Sequence, residues 1–220
     1  MSIRQNYDDE LARLHAALLA MGQAACAAAR DAVTAFLKGD KALARRTAAG
    51  DDAIDAMERD IEHRCMSLLL RQQPVAADLR QVSAALKLVT DLERMGDAAQ
   101  DISELAGHMQ AGALPDMHGP LQQMADEALA MAAASLDAFV RADLELARNT
   151  AARDDAVDAA FCQIKRLLAQ ALASHPEQAD AAIDCLMVAK YLERLGDHAQ
   201  NVCEWAQFCA TGEYKQEQML

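Results

Sequence analysis

The feature that most constrains this chain is that its sequence occurs twice. The segment Ala35-Phe36-Leu37-Lys38-Gly39-Asp40, with Leu43-Ala44-Arg45, recurs 103 residues later as Ala138-Phe139-Val140-Arg141-Ala142-Asp143 with Leu146-Ala147-Arg148. Asp51-Asp52-Ala53-Ile54-Asp55 returns at the same offset as Asp154-Asp155-Ala156-Val157-Asp158, and Pro74 returns as Pro176. Leu92-Glu93-Arg94-Met95-Gly96-Asp97 returns at an offset of 100 as Leu192-Glu193-Arg194-Leu195-Gly196-Asp197. Ordered landmarks at nearly one offset mean a duplicated supersecondary unit, so one architecture has to serve both halves.

Composition says what that unit is made of. Hydrophobic residues are 53% of the chain but aromatics only 4%; the excess is Ala, Leu and Met, which favour helices over sheets. Four prolines and nine glycines cannot punctuate a many-stranded sheet. Apolar residues recur at spacings of three and four, as amphipathic helices require. Each half therefore reads as three helical segments: 5–37, 41–72 and 76–111, then 117–141, 144–173 and 177–210. Gly39-Asp40 can end one helix and cap the next, while Pro74 and Pro176 suit the first turn of the following helix. The expected fold is all-α: two tandem, pseudo-symmetric three-helix bundles of six long antiparallel helices. Residues 1–112 form the first repeat and 113–220 the second, with the hinge at Gly112 through Pro120.

The third segment shows how the bundle packs. Leu88, Leu92, Met95, Ala99, Ile102 and Ala106 follow a 4,3,4,3,4 spacing, and Val188, Leu192, Leu195, Ala199, Val202 and Ala206 repeat it. Alanines 24, 25, 27, 28 and 29 point to close helix packing, within one chain or between two. The seam leaves Glu93, Asp97, Glu193 and Asp197 rotated away, facing out of the bundle. Asp51 with Asp55, and Asp154 with Asp158, form like i,i+4 pairs on the preceding helix, and like charges at that spacing cost roughly 0.2–0.5 kcal/mol per pair. Asp101 prolongs the first row, and Asn201 stands in its place in the second.

Where such stripes from neighbouring helices meet, four or more carboxylates converge in each repeat. Hard oxygen donors suit Mg²⁺, Ca²⁺, Mn²⁺ or ferric iron and disfavour a structural zinc site. The same residues also read as a solvated acidic face holding local pairs: Arg94 with Asp97, Arg194 with Asp197, Lys190 with Glu193. Gly96 and Gly196 interrupt a helix at a cost of roughly 0.8–1 kcal/mol relative to Ala, which implies close approach of a neighbouring helix or of a ligand. Catalysis has no candidate residues: there is no nucleophile elbow, phosphate-cradling loop or spaced Cys/His set. Asp60-Ile61-Glu62-His63 is an imperfect echo of the di-iron Glu-x-x-His motif, expected to face solvent.

Charge and cysteine usage narrow the partners. With 34 acidic against 21 basic residues the formal charge is −13, which repels nucleic acid and anionic lipid. Six cysteines without a C-x-x-C pattern fit a reduced, cytoplasmic chain in which thiols sit on apolar helix faces. Asp8, Asp9 and Glu10 stand where a signal peptide needs an apolar run, and no stretch is expected to approach the roughly 18 apolar residues of a spanning helix. Membrane association is expected only through partners.

The duplicated Leu-Glu-Arg-x-Gly-Asp helices resemble the E-x-x-x-D signature of the PhoU family. Arg71-Gln72-Gln73-Pro74-Val75-Ala76-Ala77-Asp78-Leu79-Arg80 is similar to that family's connection between its second and third helices. Gly50-Asp51 and Asn201-Val202-Cys203-Glu204 extend the likeness over about residues 5 to 210. The resemblance implies a cytoplasmic, dimeric negative regulator of phosphate uptake and of the phosphate-starvation response. Its partners would be the ATPase side of an ABC phosphate transporter and a sensor histidine kinase. It also implies metal binding (iron, manganese, magnesium or zinc) at Glu93, Asp97, Glu193 and Asp197, with Asp51, Asp55, Asp154 and Asp158 as partners. One departure weakens the second site: Glu58 is replaced by Phe161, or by Ala160 if the register slips by one. The competing readings are a carboxylate-bridged metalloenzyme and a metal-free helical adaptor.

Overall fold

The computed structural model describes residues 3–109, 114–214 and 217–218. Helix α1 (Ile3–Lys38) is followed by a short α2 (Lys41–Ala48), then α3 (Asp51–Gln72) and α4 (Ala77–His108). The second half repeats the order as α5 (His118–Arg141), α6 (Leu144–Ala151), α7 (Asp154–Ser174) and α8 (Ala179–Thr211). Single 3₁₀ turns at Pro115–Met117 and Pro176–Gln178 precede α5 and α8, and two-residue strands at Glu213–Tyr214 and Glu217–Gln218 pair antiparallel near the C-terminus. The fold is all-α with six long helices. The expected boundary between residues 112 and 113, Gly112 of the hinge, and the expected end of the third segment at 111 lie outside the described residues; α4 itself closes at His108.

The helix ends follow from local chemistry. Gly39 takes φ 65°, and Asp40 then caps α2, its Oδ1 accepting from the Ala42 and Leu43 amides at 3.0 and 2.9 Å. Asp143 caps α6 in the same way from the Leu146 amide, although the left-handed position before it is Ala142, at φ 52°. Two expectations need correction. Pro74 lies in a loop between left-handed Gln73 and Ala76 rather than in the first turn of α4, whereas Pro176 does open the turn leading to α8. Each expected second helix is also broken in two. The Gly50 and Arg153 amides bond to Thr47 O and Thr150 O, three residues back, both at 3.0 Å. That tightens the last turn of α2 and α6, and new helices start at Asp51-Asp52 and Asp154-Asp155, where acidic side chains favour a helix N-terminus. Arginine at 153 makes the same break as glycine at 50, so glycine is not its cause.

Helices α4 and α8 are the centre of the molecule. Every residue of both expected seams is 3% exposed or less. Helix α4 packs on α1, α2 and α3, α8 on α5, α6 and α7, and the two lie against each other, so one apolar core runs through both repeats. Helix α1 corrects a further expectation, since from Gln5 to Lys38 it is long and apolar enough by composition to cross a membrane. Its Leu14, Leu18, Met21 and Ala25 are fully buried against other helices, while 33% of its most apolar stretch is buried in all. Cys162, unlike the other thiols, stands exposed on α7.

The crossing of α1 and α5 is tightest at Gly22. A Cβ there would lie 2.3 Å from Leu136 Cδ1 and 2.8 Å from Cδ2. At the equivalent positions of the other repeat, Ala125 replaces the glycine and Val33 replaces the leucine, both buried, so the size lost on one helix is matched on the other. Gly22→Ala should lower stability by about 1–2 kcal/mol, overpacking outweighing the helix-propensity gain. Adding Leu136→Val should restore most of the loss, as read from urea melts of wild type, single and double variants.

Candidate metal centre

The carboxylate rows are brought together by the first turn of α3 against α4, and of α7 against α8. Gly96 is buried, and a Cβ there would meet Ile54 side-chain carbons at 3.1 and 3.2 Å and Asp51 Oδ1 at 3.4 Å. Gly196 repeats the contact with Asp154 Oδ1 at 3.1 Å and Val157 Cγ1 at 3.2 Å. Of the two explanations for these helix-interior glycines, close approach of the neighbouring helix is the one the geometry supports. It seats Asp51 beside Asp97 and Asp154 beside Asp197.

In the first repeat the crevice collects Asp51, Asp55 and Glu58 from α3 with Glu93, Asp97 and Asp101 from α4. Glu93 and Asp97 do not point freely outward as expected: their side chains are 18% and 32% exposed, turned into the crevice wall. Desolvation, followed by the negative charges of Asp55, Asp97, Asp52 and Asp101, raises Asp51 above the usual carboxylate range. Glu93 is raised by desolvation and then by Asp97, and Glu58 by desolvation and then by Glu62 and Asp55. Arg94 supplies the local cation, 2.9 Å from Asp97 Oδ2 and 3.4 Å from Glu93 Oε2, yet that Glu93 oxygen is buried without a hydrogen bond.

The second repeat solves the same crowding differently. Phe161 occupies the place of Glu58, and Lys190, which stands where the first repeat has Thr90, pairs with Glu193 and lies 5.6 Å from the Phe161 ring centre. This crevice carries its own cation. Asp154, buried at the helix start, is pushed up to about 6 by desolvation and then by Asp197, Asp158 and Glu193. Asp197 is raised by desolvation and by Glu193, with Lys190 pulling the other way. Asp158 is exposed beside them. The expected Arg94–Asp97 and Lys190–Glu193 pairs are present; an Arg194–Asp197 pair is not among those of the described residues, and Arg194 instead acts on Asp101.

Sequence reading missed a polar seam between α4 and α8. Asp91 Oδ1 accepts from Asn201 at 3.0 Å and lies 2.9 Å from His198 Nδ1, while the Tyr191 hydroxyl donates to Asp101. At the offset of 100, residue 91 corresponds to 191 and 101 to 201, so these are one contact seen from the two sides of a pseudo-two-fold axis. The signal was available in the aligned repeats. Asp101 and Asn201, read as continuations of the acidic rows, serve this seam. Asp60, Glu62 and His63 are exposed, as expected.

An all-carboxylate donor set fits a hard cation, and the first crevice fits it better because it adds Glu58 to the set, although Arg94 stands beside Glu93 and Asp97 and Arg59 lies 3.5 Å from Asp55. Among the described residues, however, no three His, Cys, Asp or Glu side chains are gathered closely enough to hold one ion. The rows form an open trough, and side-chain rotation would be needed to turn it into a coordination sphere.

Comparison with known proteins agrees with the geometry over nearly the full length. The family model described as the PhoU domain matches twice, at residues 18–106 and 121–206. A Clostridium acetobutylicum protein named phosphate-specific transport system accessory protein PhoU homolog is 35% identical over 95% of this chain and 96% of its own length. A Pseudomonas putida protein of the same name is 34% identical, over 96% of this chain and 82% of its own. The crystal structure of PhoU from Pseudomonas aeruginosa superposes with a TM-score of 0.90 at 33% identity, covering 94% of this chain and all of that one. The Streptococcus pneumoniae phosphate transport system regulatory protein PhoU gives 0.88 at 29% identity, over 94% of this chain and 98% of that one.

Asp154 allows a test of the crowding. Its pKa is raised in the folded state from 3.8 to about 6, so the folded chain holds more protons than the unfolded one between those values. The residue's contribution to stability therefore falls as pH rises through that window. Asp154→Asn should match wild type near pH 4 and exceed it by about 1–3 kcal/mol at neutral pH, less a few tenths for the carboxylate lost from the start of α7. Denaturant melts against pH in the presence of a chelator would check this.

Proposed function

This chain belongs to the PhoU family, and from that premise we propose that it is a cytoplasmic negative regulator of phosphate uptake and of the phosphate-starvation response. It acts by contact rather than by catalysis, joining the ATPase side of an ABC phosphate transporter to a sensor histidine kinase. The observation that carries the reading is the pair of PhoU-domain matches on a chain whose Glu-Arg-x-Gly-Asp helices both stand at an acidic crevice. No nucleic acid is involved, membranes are reached through the partners, and the working form is a homodimer. The test is deletion: a phosphate-starvation reporter should become constitutive at high phosphate, and the intact gene should restore repression. A reporter that stays repressed in the deletion strain would refute the role.

The crevices are proposed to hold metal unequally. Asp51, Asp55, Glu93 and Asp97 form the working site, and a divalent or trivalent cation bound there would offset the desolvation and the carboxylate repulsion that together raise Asp51 and Glu93. Asp154, Asp158, Glu193 and Asp197 form a weaker site, because Phe161 stands where the first repeat supplies the further carboxylate of Glu58. Elemental analysis of untagged protein should give metal that disappears in Glu93→Gln/Asp97→Asn and persists in Glu193→Gln/Asp197→Asn. Negligible metal in wild type would favour a metal-free adaptor instead.

A further inference from the structure

A cavity of the opposite electrical character lies between the first turns of α1 and the last turns of α3, and it measures about 180 Å³. Helix α3 contributes Arg64, Ser67 and Arg71, whose i, i+3, i+7 spacing sets them on one face, with Gln72 at the helix end; α1 contributes Asn6 and Glu10. Arg71 and Gln72 begin the stretch 71–80 on which part of the family resemblance rests. His63, which closes the Asp60-Ile61-Glu62-His63 echo, lines the same space. Neither motif has a part in the carboxylate crevices. At the offset of 103 the second repeat has Leu167, Gln170 and Ser174 in place of Arg64, Ser67 and Arg71, so the cluster belongs to the first repeat.

The donors around this cavity lack protein partners. Among the described residues, the side chains of Asn6, Ser67, Arg71 and Gln72 make no hydrogen bond or ion pair. Arg64 gives its Nε to Asp60 at 2.7 Å and keeps both Nη groups for a ligand. A guanidinium is a planar fork of five N–H donors that matches an oxyanion; two of them, with a hydroxyl and two amides, are the surroundings a tetrahedral anion requires. In a chain whose 34 acidic residues outnumber 21 basic ones, two arginines against one lining carboxylate are a local reversal. That carboxylate, Glu10, is held by Arg13 through Oε1, and its other oxygen can accept a hydrogen bond. Hydrogenphosphate has a proton to give there, and sulfate at neutral pH has none. Sites for drug-sized ligands run to roughly 300–1,000 Å³, so this cavity suits a single five-atom ion with its waters.

We propose that the α1–α3 cavity binds inorganic phosphate, one ion per chain, held by Arg64 and Arg71 with help from Ser67, Asn6 and Gln72, and told from sulfate by Glu10, which accepts the phosphate proton. Tyr7, beside Asn6, already donates to Asp78 O at 3.3 Å, across the loop that leaves α3. An ion joining Asn6 to Arg71 braces α1 against the end of α3 at that point. The binding depends neither on metal in the crevices nor on the regulatory role; only its use as a phosphate signal rests on that role.

The test is isothermal titration of the full, untagged chain with sodium phosphate at fixed ionic strength, in the presence of a chelator so that no crevice metal can carry the anion. Wild type should take one phosphate per chain and bind sulfate roughly tenfold or more weakly. Arg64→Leu/Arg71→Ser, which installs the residues of the second repeat, should weaken phosphate roughly tenfold or more. Arg45→Ser/Arg46→Ser removes the same charge from exposed positions of α2 and should leave phosphate binding as in wild type. Glu10→Gln should bring phosphate and sulfate together. Ser67→Asp, which sets a carboxylate in the cavity and keeps both arginines, should also abolish binding, and it keeps the test decisive if the double variant does not fold by circular dichroism. No binding by wild type at roughly 10 mM phosphate, equal binding by Arg64→Leu/Arg71→Ser, or equal binding of sulfate by wild type would each overturn the proposal. So would phenyl phosphate binding more tightly than inorganic phosphate, which would assign the cavity to a phosphoryl group carried by another protein. A deletion strain that stays repressed while the purified chain still binds phosphate would remove the regulatory role and leave the site standing.

Discussion

The packing of α4 along α8 is the contact on which the other helices depend, because each of these two buries residues around most of its circumference and so needs a neighbour on every side. Leu88, Leu92, Met95 and Ile102 on one, and Val188, Leu192, Leu195 and Val202 on the other, are fully removed from solvent, each contributing on the order of 1.5–3 kcal/mol. The outer helices complete that burial. Small residues set the spacing where they cross: Gly22 admits Leu136, Gly96 admits Ile54, and Gly196 admits Val157.

The same closeness creates the electrostatic character of the molecule. A helix that approaches near enough to need glycine brings its N-terminal aspartate with it, so tight packing and carboxylate crowding are one event. Asp51 and Asp154 are thereby held where desolvation and like charges oppose ionisation, and other interactions of the fold must offset that opposition. The two repeats offset it differently, one with the arginine of its own signature and the other with an additional lysine lying over an aromatic ring.

Much of this was legible in the sequence, and the rest was hidden for identifiable reasons. Periodicity located the six long helices and both buried seams, because burial on a helix leaves a spacing that can be counted. The break at Gly50 was not legible, since Arg153 makes the same break and both residues keep ordinary negative φ. Ala142 took a left-handed conformation that its identity does not announce; only its alignment with Gly39 suggests it. The orientation of Glu93 was misjudged because a seam fixes which side of a helix is buried against its bundle, not how far the neighbouring helix wraps around it. The polar seam of Asp91, Asp101, Tyr191, His198 and Asn201 depends on how the halves face each other, which no single-helix pattern encodes.

That polar seam bears on the history of the duplication. An ancestral single unit pairing with itself would have set residue 91 of one copy against residue 101 of the other, twice. The present first half, joined to its own copy, would face Asp91 with Asp101, carboxylate against carboxylate; the present second half would face Tyr191 with Asn201. Only the mixed pairing gives Asp91 the Asn201 amide and the His198 ring while giving Asp101 the Tyr191 hydroxyl. Each half thus supplies what the other's side of the seam requires, a donor for each carboxylate, so the symmetry of the backbone is completed by an asymmetry of side chains.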